Sequence, residues 1–200
     1  MSDSPVRIAL IIGSTRPNRF ADVPVRWLRA AAAPRDDLVI ETLDLRDWKL
    51  PYYEEPATPL MTGGAYTNAE ANRWRAHIAT FDGFIATAAE YNHGPTAVLK
   101  NALDSAFHEW ADKPITFVGY GASGGARAVE QLRMHVIELQ MAAIKHAVHI
   151  NMEPFLGIVR EGKSLDDYAY LVQSRDAMFE RLAWWARALR AARHEKLAAA

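Results

Sequence analysis

Residues 6–20 read VRIALIIGSTRPNRF. The apolar run 6–12, interrupted only by Arg7, has the composition of a β-strand, and Gly13 ends it. Hydroxyls at Ser14 and Thr15, an amide at Asn18 and guanidinium groups at Arg16 and Arg19 follow. Residues 21–33 then have helical composition. A buried strand feeding a polar turn and a helix is the opening half of a strand–helix–strand unit.

The pattern repeats outward from there. Residues 38–43 (LVIETL), 82–88 (DGFIATA), 115–120 (ITFVGY) and 147–150 are predicted strands. Their runs are continuous rather than alternating, as suits parallel strands covered on both faces. Between them, residues 96–107 place Val98, Leu99, Ala102, Leu103, Ala106 and Phe107 on one helical stripe, with Pro95 suited to the entry of that helix. Val129, Leu132, Val136 and Leu139 form another stripe. A last helix is expected over 164–196, opened by Ser164 and Asp167 and facing inward through Tyr168, Leu171, Val172, Phe179, Leu182, Trp185 and Leu189. Such alternation predicts an α/β fold with a doubly wound, five-stranded parallel sheet. No linker or repeat divides the chain, so one domain is expected over residues 1–200. The segment 45–68, with Trp48, Tyr52, Tyr53, Gly63 and Gly64, is a long loop. It either covers a ligand or a partner, or packs irregularly on its own domain.

Composition narrows the function. Half the chain is apolar and the net charge is −1, which gives no general attraction to nucleic acid or to an anionic membrane. The chain has no cysteine, which removes disulfides, thiol nucleophiles and thiolate metal sites. The apolar run 8–12 is too short for a signal-peptide core or a bilayer span, so a cytoplasmic protein is expected.

In an open parallel sheet, ligands bind beyond the carboxyl ends of the strands. Three loops there carry polar chemistry. Residues 13–20 combine hydroxyls, arginines and a helix amino end, which suits a phosphate monoester; the plainer alternative is a Ser/Thr-rich turn with two solvated arginines. Residues 88–95 (AAEYNHGP) form a tight turn able to present backbone groups to a planar ring, and His93 reads as a surface histidine rather than a proton donor. Residues 119–127 (GYGASGGAR) contain four glycines that let the backbone approach a ligand.

Together GSTRPNRF, AEYNHGPTAVLKNALD and GYGASGGARA resemble the NADPH-dependent FMN reductase family, whose relatives reduce quinones, azo dyes and chromate. The likeness runs from about residue 6 to 150. It implies a flavodoxin-like fold with strand order 2-1-3-4-5 and bound FMN. Ser14, Arg16, Asn18, Arg19 and Phe20 would enclose the FMN phosphate. Glu90, Tyr91 and Asn92 would line the ring and ribityl chain, and Gly121, Ser123 and Gly124 would close over the pyrimidine end. The resemblance further implies NADPH or NADH as co-substrate, hydride transfer with ping-pong kinetics, and a homodimer or dimer of dimers built partly from the helix after Pro95 and from Arg127. The family's usual proline before Glu90 is Ala89 here, which bears on the set of that turn. No catalytic side chain and no metal ligand is nominated. The rival function is a flavodoxin-type electron carrier without NAD(P)H activity; such carriers are strongly acidic, which a charge of −1 does not match.

Two other motifs are weighed and set aside. Gly119, Gly121 and Gly124 spell GxGxxG, but no strand ends about 20 residues on with an acidic residue. Residues 157–164 (GIVREGKS) match a P-loop by letter, yet no later strand remains to supply a Mg²⁺-holding acid, so they are read as a turn before the last helix. His146 and His149 are read as structural, and the arginines of the last helix as a solvated face.

Overall fold

The computed structural model describes residues 4–62 and 66–198, so Gly63 and Gly64 of the long loop lie outside the described residues. The chain runs β1 (Val6–Ile12), α1 (Asp22–Ala32), β2 (Leu38–Asp44), α2 (Ala69–Ile78), β3 (Gly83–Ala89), α3 (Ala97–Asp104), β4 (Pro114–Tyr120), α4 (Ala126–Glu138), β5 (Ala142–Ala143), β6 (Val148–Ile150), α5 (Met152–Glu161) and α6 (Ala169–Ala198). Every strand pairing among these is parallel, in the order β2-β1-β3-β4-β5, with β6 also on β4. This is the flavodoxin-like α/β fold. The strand expected over 147–150 is β6, and the two-residue β5 on the same flank of β4 is an addition to the expected five.

Register sets the carboxyl ends level. Ile12 lies opposite both Asp44 and Thr87, and Tyr120 lies opposite both Ala89 and Ile150. The chain winds outward from β1 to β2, then returns to β3 on the other side of β1. That reversal puts the topological switch point between the turns after β1 and β3.

The sheet is covered on both faces. Ile8, Leu10, Ile12, Ile85 and Val118 pack with Trp27 and Leu28 of α1 and Leu171, Phe179 and Leu182 of α6. Ala9, Ile11, Phe84 and Phe117 pack with Trp74 of α2, Leu99 of α3, Trp110, and Leu132 of α4. Every residue of β3 and β4 is buried, which is why their sequences show no polar alternation.

Three expectations need correction. Residues 157–164 are not a turn: Gly157 to Glu161 belong to α5, and a Cβ on Gly157 would lie 2.0 Å from the Tyr168 hydroxyl packed against it. Gly162, with φ 70°, ends that helix, and the Lys163 N–H donates to the Gly157 carbonyl at 3.1 Å. Ser164 and Asp167 do form a capping box, but on a 3-10 turn (Leu165–Asp167), and the long helix begins at Ala169. Lastly, the arginines of α6 are not all solvated. The side chains of Arg175, Arg190 and Arg193 are only 12%, 13% and 19% exposed. Arg190 and Arg193 both reach the Asp82 carboxylate at 3.2 Å, a partner from the start of β3 rather than from their own helix.

The long loop divides its surface. Trp48 packs edge-on against Trp74 at 5.0 Å beneath the Arg73 guanidinium. The Glu55 carboxylate accepts from the N–H groups of Thr67 and Asn68, at 3.0 and 3.1 Å. Tyr52 and Met61, each 76% exposed, face outward. Among the described residues, no helix is long and apolar enough to cross a membrane.

Candidate FMN site

The turn after β1 is fixed from both sides. The Gly13 N–H donates to Thr87 Oγ1 at 2.9 Å, and the Thr96 hydroxyl that caps α3 donates to the Gly13 carbonyl. Arg19 turns inward, 8% exposed. Its Nη1 donates to the Ser14 carbonyl at 2.7 Å and to Asp44 Oδ1 at 2.6 Å, and its Nε donates to Asp22 Oδ1 at 2.8 Å. The hydrogen bonds it donates to Asp44 hold the guanidinium protonated more firmly still, against the opposing effect of burial. Burial works against the Asp44 charge as well, but the bonds from Arg19 and the Arg46 N–H outweigh it and hold that carboxyl below its ordinary range. Arg46 pins the outside of the turn by donating to the Arg16 and Pro17 carbonyls.

What the turn leaves unpaired matters as much. Among the described residues, the backbone N–H groups of Ser14, Thr15, Arg16 and Asn18 make no hydrogen bond, and the Arg16 and Asn18 side chains have no partner. Ser14, Thr15 and Arg16 line a cavity of about 160 Å³ together with Tyr91, Thr96, Ala97 and Val98. The Ser14 and Tyr91 hydroxyls stand 3.4 Å apart at its wall. A larger hollow, about 260 Å³, lies at the α1–β2 flank, where Arg35 is already paired with Asp37.

The turn after β3 is a tight reversal. The N–H groups of Tyr91 and Gly94 donate to each other's carbonyls at 2.9 and 3.0 Å, while Asn92 and His93 between them take φ of 50° and 69°. This leaves the Asn92 side chain exposed. Ala89, at the position of the missing proline, completes β3 opposite Tyr120. The Glu90 side chain, 6% exposed, accepts from Arg127 Nε at 2.6 Å and from the Arg127 N–H at 3.2 Å. Arg127 also meets His93 Nε2 at 2.8 Å and donates to the Ser123 hydroxyl at 3.3 Å. One guanidinium thus ties the second loop to the third.

The third loop needs its glycines for two reasons. Gly125 has φ 68°, and a Cβ there would lie 2.6 Å from the Tyr120 nitrogen, so the loop folds tightly back on β4. Gly121 has φ 142° and is loosely surrounded: a Cβ would meet the Glu90 Cβ at 3.5 Å and the Gly125 nitrogen at 4.0 Å. His149 donates from Nδ1 to the Gly124 carbonyl at 2.9 Å, which accounts for that histidine structurally.

Ser14, Arg16 and Tyr91 therefore share one cavity, Glu90 and Ser123 converge through Arg127, and Gly121 lies beside Glu90. Arg19 is buried and Phe20 partly so, the Phe20 ring lying 5.4 Å from Tyr120 and 4.7 Å from Phe155. Sequence reasoning missed Thr96, Arg46 and Tyr120. The available signals were Thr96 directly after Pro95, Arg46 two residues past the end of β2, and a phenol closing an otherwise apolar strand. The donor set of free N–H groups, an unpaired guanidinium and hydroxyls at a switch point fits a phosphate monoester, and the Gly121 face fits a flat group beside it.

A model of the NADPH-dependent FMN reductase family matches residues 6–154. The chain belongs to that family. Among curated proteins it is similar to the NAD(P)H-dependent FMN reductase ntnL of Nectria sp, 40% identical over 130 residues that cover 63% of this chain and 65% of that protein. It is also similar to the NAD(P)H-dependent FMN reductase C4B3.06c of Schizosaccharomyces pombe, 37% identical over 127 residues, 64% of each. The chain thus spans just under two thirds of the length of these relatives. In fold it is similar to FerB, a flavoenzyme NAD(P)H:(acceptor) oxidoreductase from Paracoccus denitrificans, with a TM-score of 0.70 at 20% identity, covering 91% of this chain and 97% of that one. The family match spans all three loops and ends at Pro154, inside α5, so α6 lies beyond it.

Proposed function

We propose that this family member is a single FMN-binding domain acting as an NAD(P)H-dependent oxidoreductase that passes electrons to a small acceptor such as a quinone, azo compound, nitroaromatic, chromate or free flavin. The observation that carries this reading is the cavity where Arg16, without a partner among the described residues, stands beside Ser14 and Tyr91 at the switch point. Ser14, the free N–H groups of the turn and Arg16 hold the phosphate. Arg19 acts one step back, holding the Ser14 carbonyl so that the turn keeps its shape. Tyr91 and Asn92 border the ring on one side, and Gly121, Ser123 and Gly124 on the other, with Glu90 positioning both loops through Arg127.

FMN, when bound, supplies reversible two-electron chemistry; the chain's residues bind, orient and tune it. No side chain needs to act as acid or base. A single shared site for donor and acceptor gives ping-pong kinetics. The exposed Met134 and Ile137 on α4, each 63% accessible, with Tyr52 on the loop, support assembly as a homodimer or a dimer of dimers through the α3–α4 side. A cytoplasmic site of action belongs to the same proposal.

The test is an absorption spectrum of the purified protein followed by NADPH oxidation with a quinone. A flavin spectrum and quinone-dependent loss of NADPH absorbance are expected. A flavin spectrum with unchanged NADPH would identify an electron carrier instead, and a colourless protein that takes up no FMN would end the proposal.

A further inference from the structure

Tyr120 closes β4 at the carboxyl edge of the sheet. It is 6% exposed, and its hydroxyl has no hydrogen-bond partner among the described residues. A buried donor without a partner is unfavourable unless something else satisfies it. Its ring is held by Phe20, which is itself backed by Phe155, so the hydroxyl has a fixed direction. The charged and polar groups that act on it are Tyr91, Arg19, Asp22 and Ser14. These come from the turn after β3, from the turn after β1 and from the first turn of α1. The Arg19 guanidinium is already taken up by Asp22 and Asp44, so the groups left to meet a ligand there are the Ser14 and Tyr91 hydroxyls and the amino end of α1.

We propose that the Tyr120 hydroxyl is a buried donor to the phosphate of the flavin, and that it makes the site prefer phosphorylated over unphosphorylated flavin. This rests on the FMN reading above and adds a specificity residue to it. The hydroxyl lies near the Ser14 and Tyr91 side chains, which wall the proposed phosphate cavity, on the α1 side of the sheet. Satisfying it requires an acceptor oxygen, which phosphate supplies with charge.

The test compares wild-type apoprotein with Tyr120→Phe, which keeps the ring and removes only the oxygen. FMN and riboflavin are titrated into each by flavin fluorescence, and the thermal unfolding of each apoprotein is recorded. FMN binding to the variant should weaken by about tenfold or more, as for a lost hydrogen bond to a charged group. Riboflavin binding should be unchanged, and the apoprotein should unfold at the same or a higher temperature, because a buried orphan is gone. Unchanged FMN affinity would overturn the inference. Equal loss for FMN and riboflavin would overturn it too, placing the hydroxyl at the ribityl chain or ring. A less stable apoprotein would show that the hydroxyl serves the fold. Wild-type protein that binds no FMN would defeat the underlying reading and this inference with it.

Discussion

The two ends of the sheet handle charge in opposite ways. At the amino end, Asp82 is shared by Arg190 and Arg193, and the Arg193 guanidinium also donates to the Asp112 carbonyl at 2.6 Å. The Lys113 ammonium, 6% exposed, donates to the Ile78 and Ala79 carbonyls that end α2, at 3.2 and 2.9 Å. Charge there is spent on closing the molecule. At the carboxyl end, Arg16 and Asn18 have no side-chain partner among the described residues, and Asn92 and Ser123 are exposed. Donors there are held in place by neighbours, such as Arg19 under Ser14, but not consumed by them. The lesson is that a binding site in this fold is marked less by the number of polar groups than by which of them the fold has left unsatisfied.

That contrast predicts separable defects. The largest belongs to the amino end. Asp82→Ala removes the carboxylate shared by two mostly buried guanidiniums and should lower stability by roughly 3–5 kcal/mol. Urea unfolding would show this, while FMN affinity of the folded fraction stays as in the wild type; a large affinity loss would erase the division between the ends. Lys113 gives the next effect. Burial lowers its pKa from 10.5 to about 8. Between those values the unfolded chain binds more protons than the folded one, so stability should rise as pH increases from about 8 to about 10.5. The rise should be missing from Lys113→Met. A flat wild-type profile across that window would show that the ammonium is not held in its buried setting.

At the carboxyl end, Arg16→Ala should leave the unfolding midpoint alone and cost roughly 1.5–3 kcal/mol of FMN binding, about 10- to 150-fold in Kd. Apoprotein titration checks it. The mildest effect lies between the ends: Asn68 Oδ1 accepts from the Ala71 N–H at 3.0 Å at the start of α2, so Asn68→Ala should cost about 1 kcal/mol of stability and nothing in FMN affinity.

The carboxyl end was the more legible from sequence, and the reason is local. Its loops follow buried apolar runs directly, and glycine, proline and asparagine mark where the backbone must turn, as at Asn92 and Gly121. The amino end is written in pairs far apart in the chain. Nothing near Arg190 announces Asp82, which stands 108 positions away. The same distance hides the difference between Arg16 and Arg19. They look alike in GSTRPNRF, and only the parallel pairing that sets Asp44 beside Ile12 turns one inward. The short helices α2 and α5 also escaped sequence reading: α2 buries only Ala71, Trp74 and Ile78, and α5 only Pro154 and Gly157. Too few apolar positions repeat there to declare a helical period.

The central claim is that the turn after β1 is left unsatisfied in order to hold a dianion. A crystal structure of the protein grown with FMN tests it directly. The phosphate should lie against the N–H groups of Ser14, Thr15, Arg16 and Asn18 with the Arg16 guanidinium folded onto it. An FMN bound elsewhere, or a turn whose donors stay on water with the flavin present, would contradict the account.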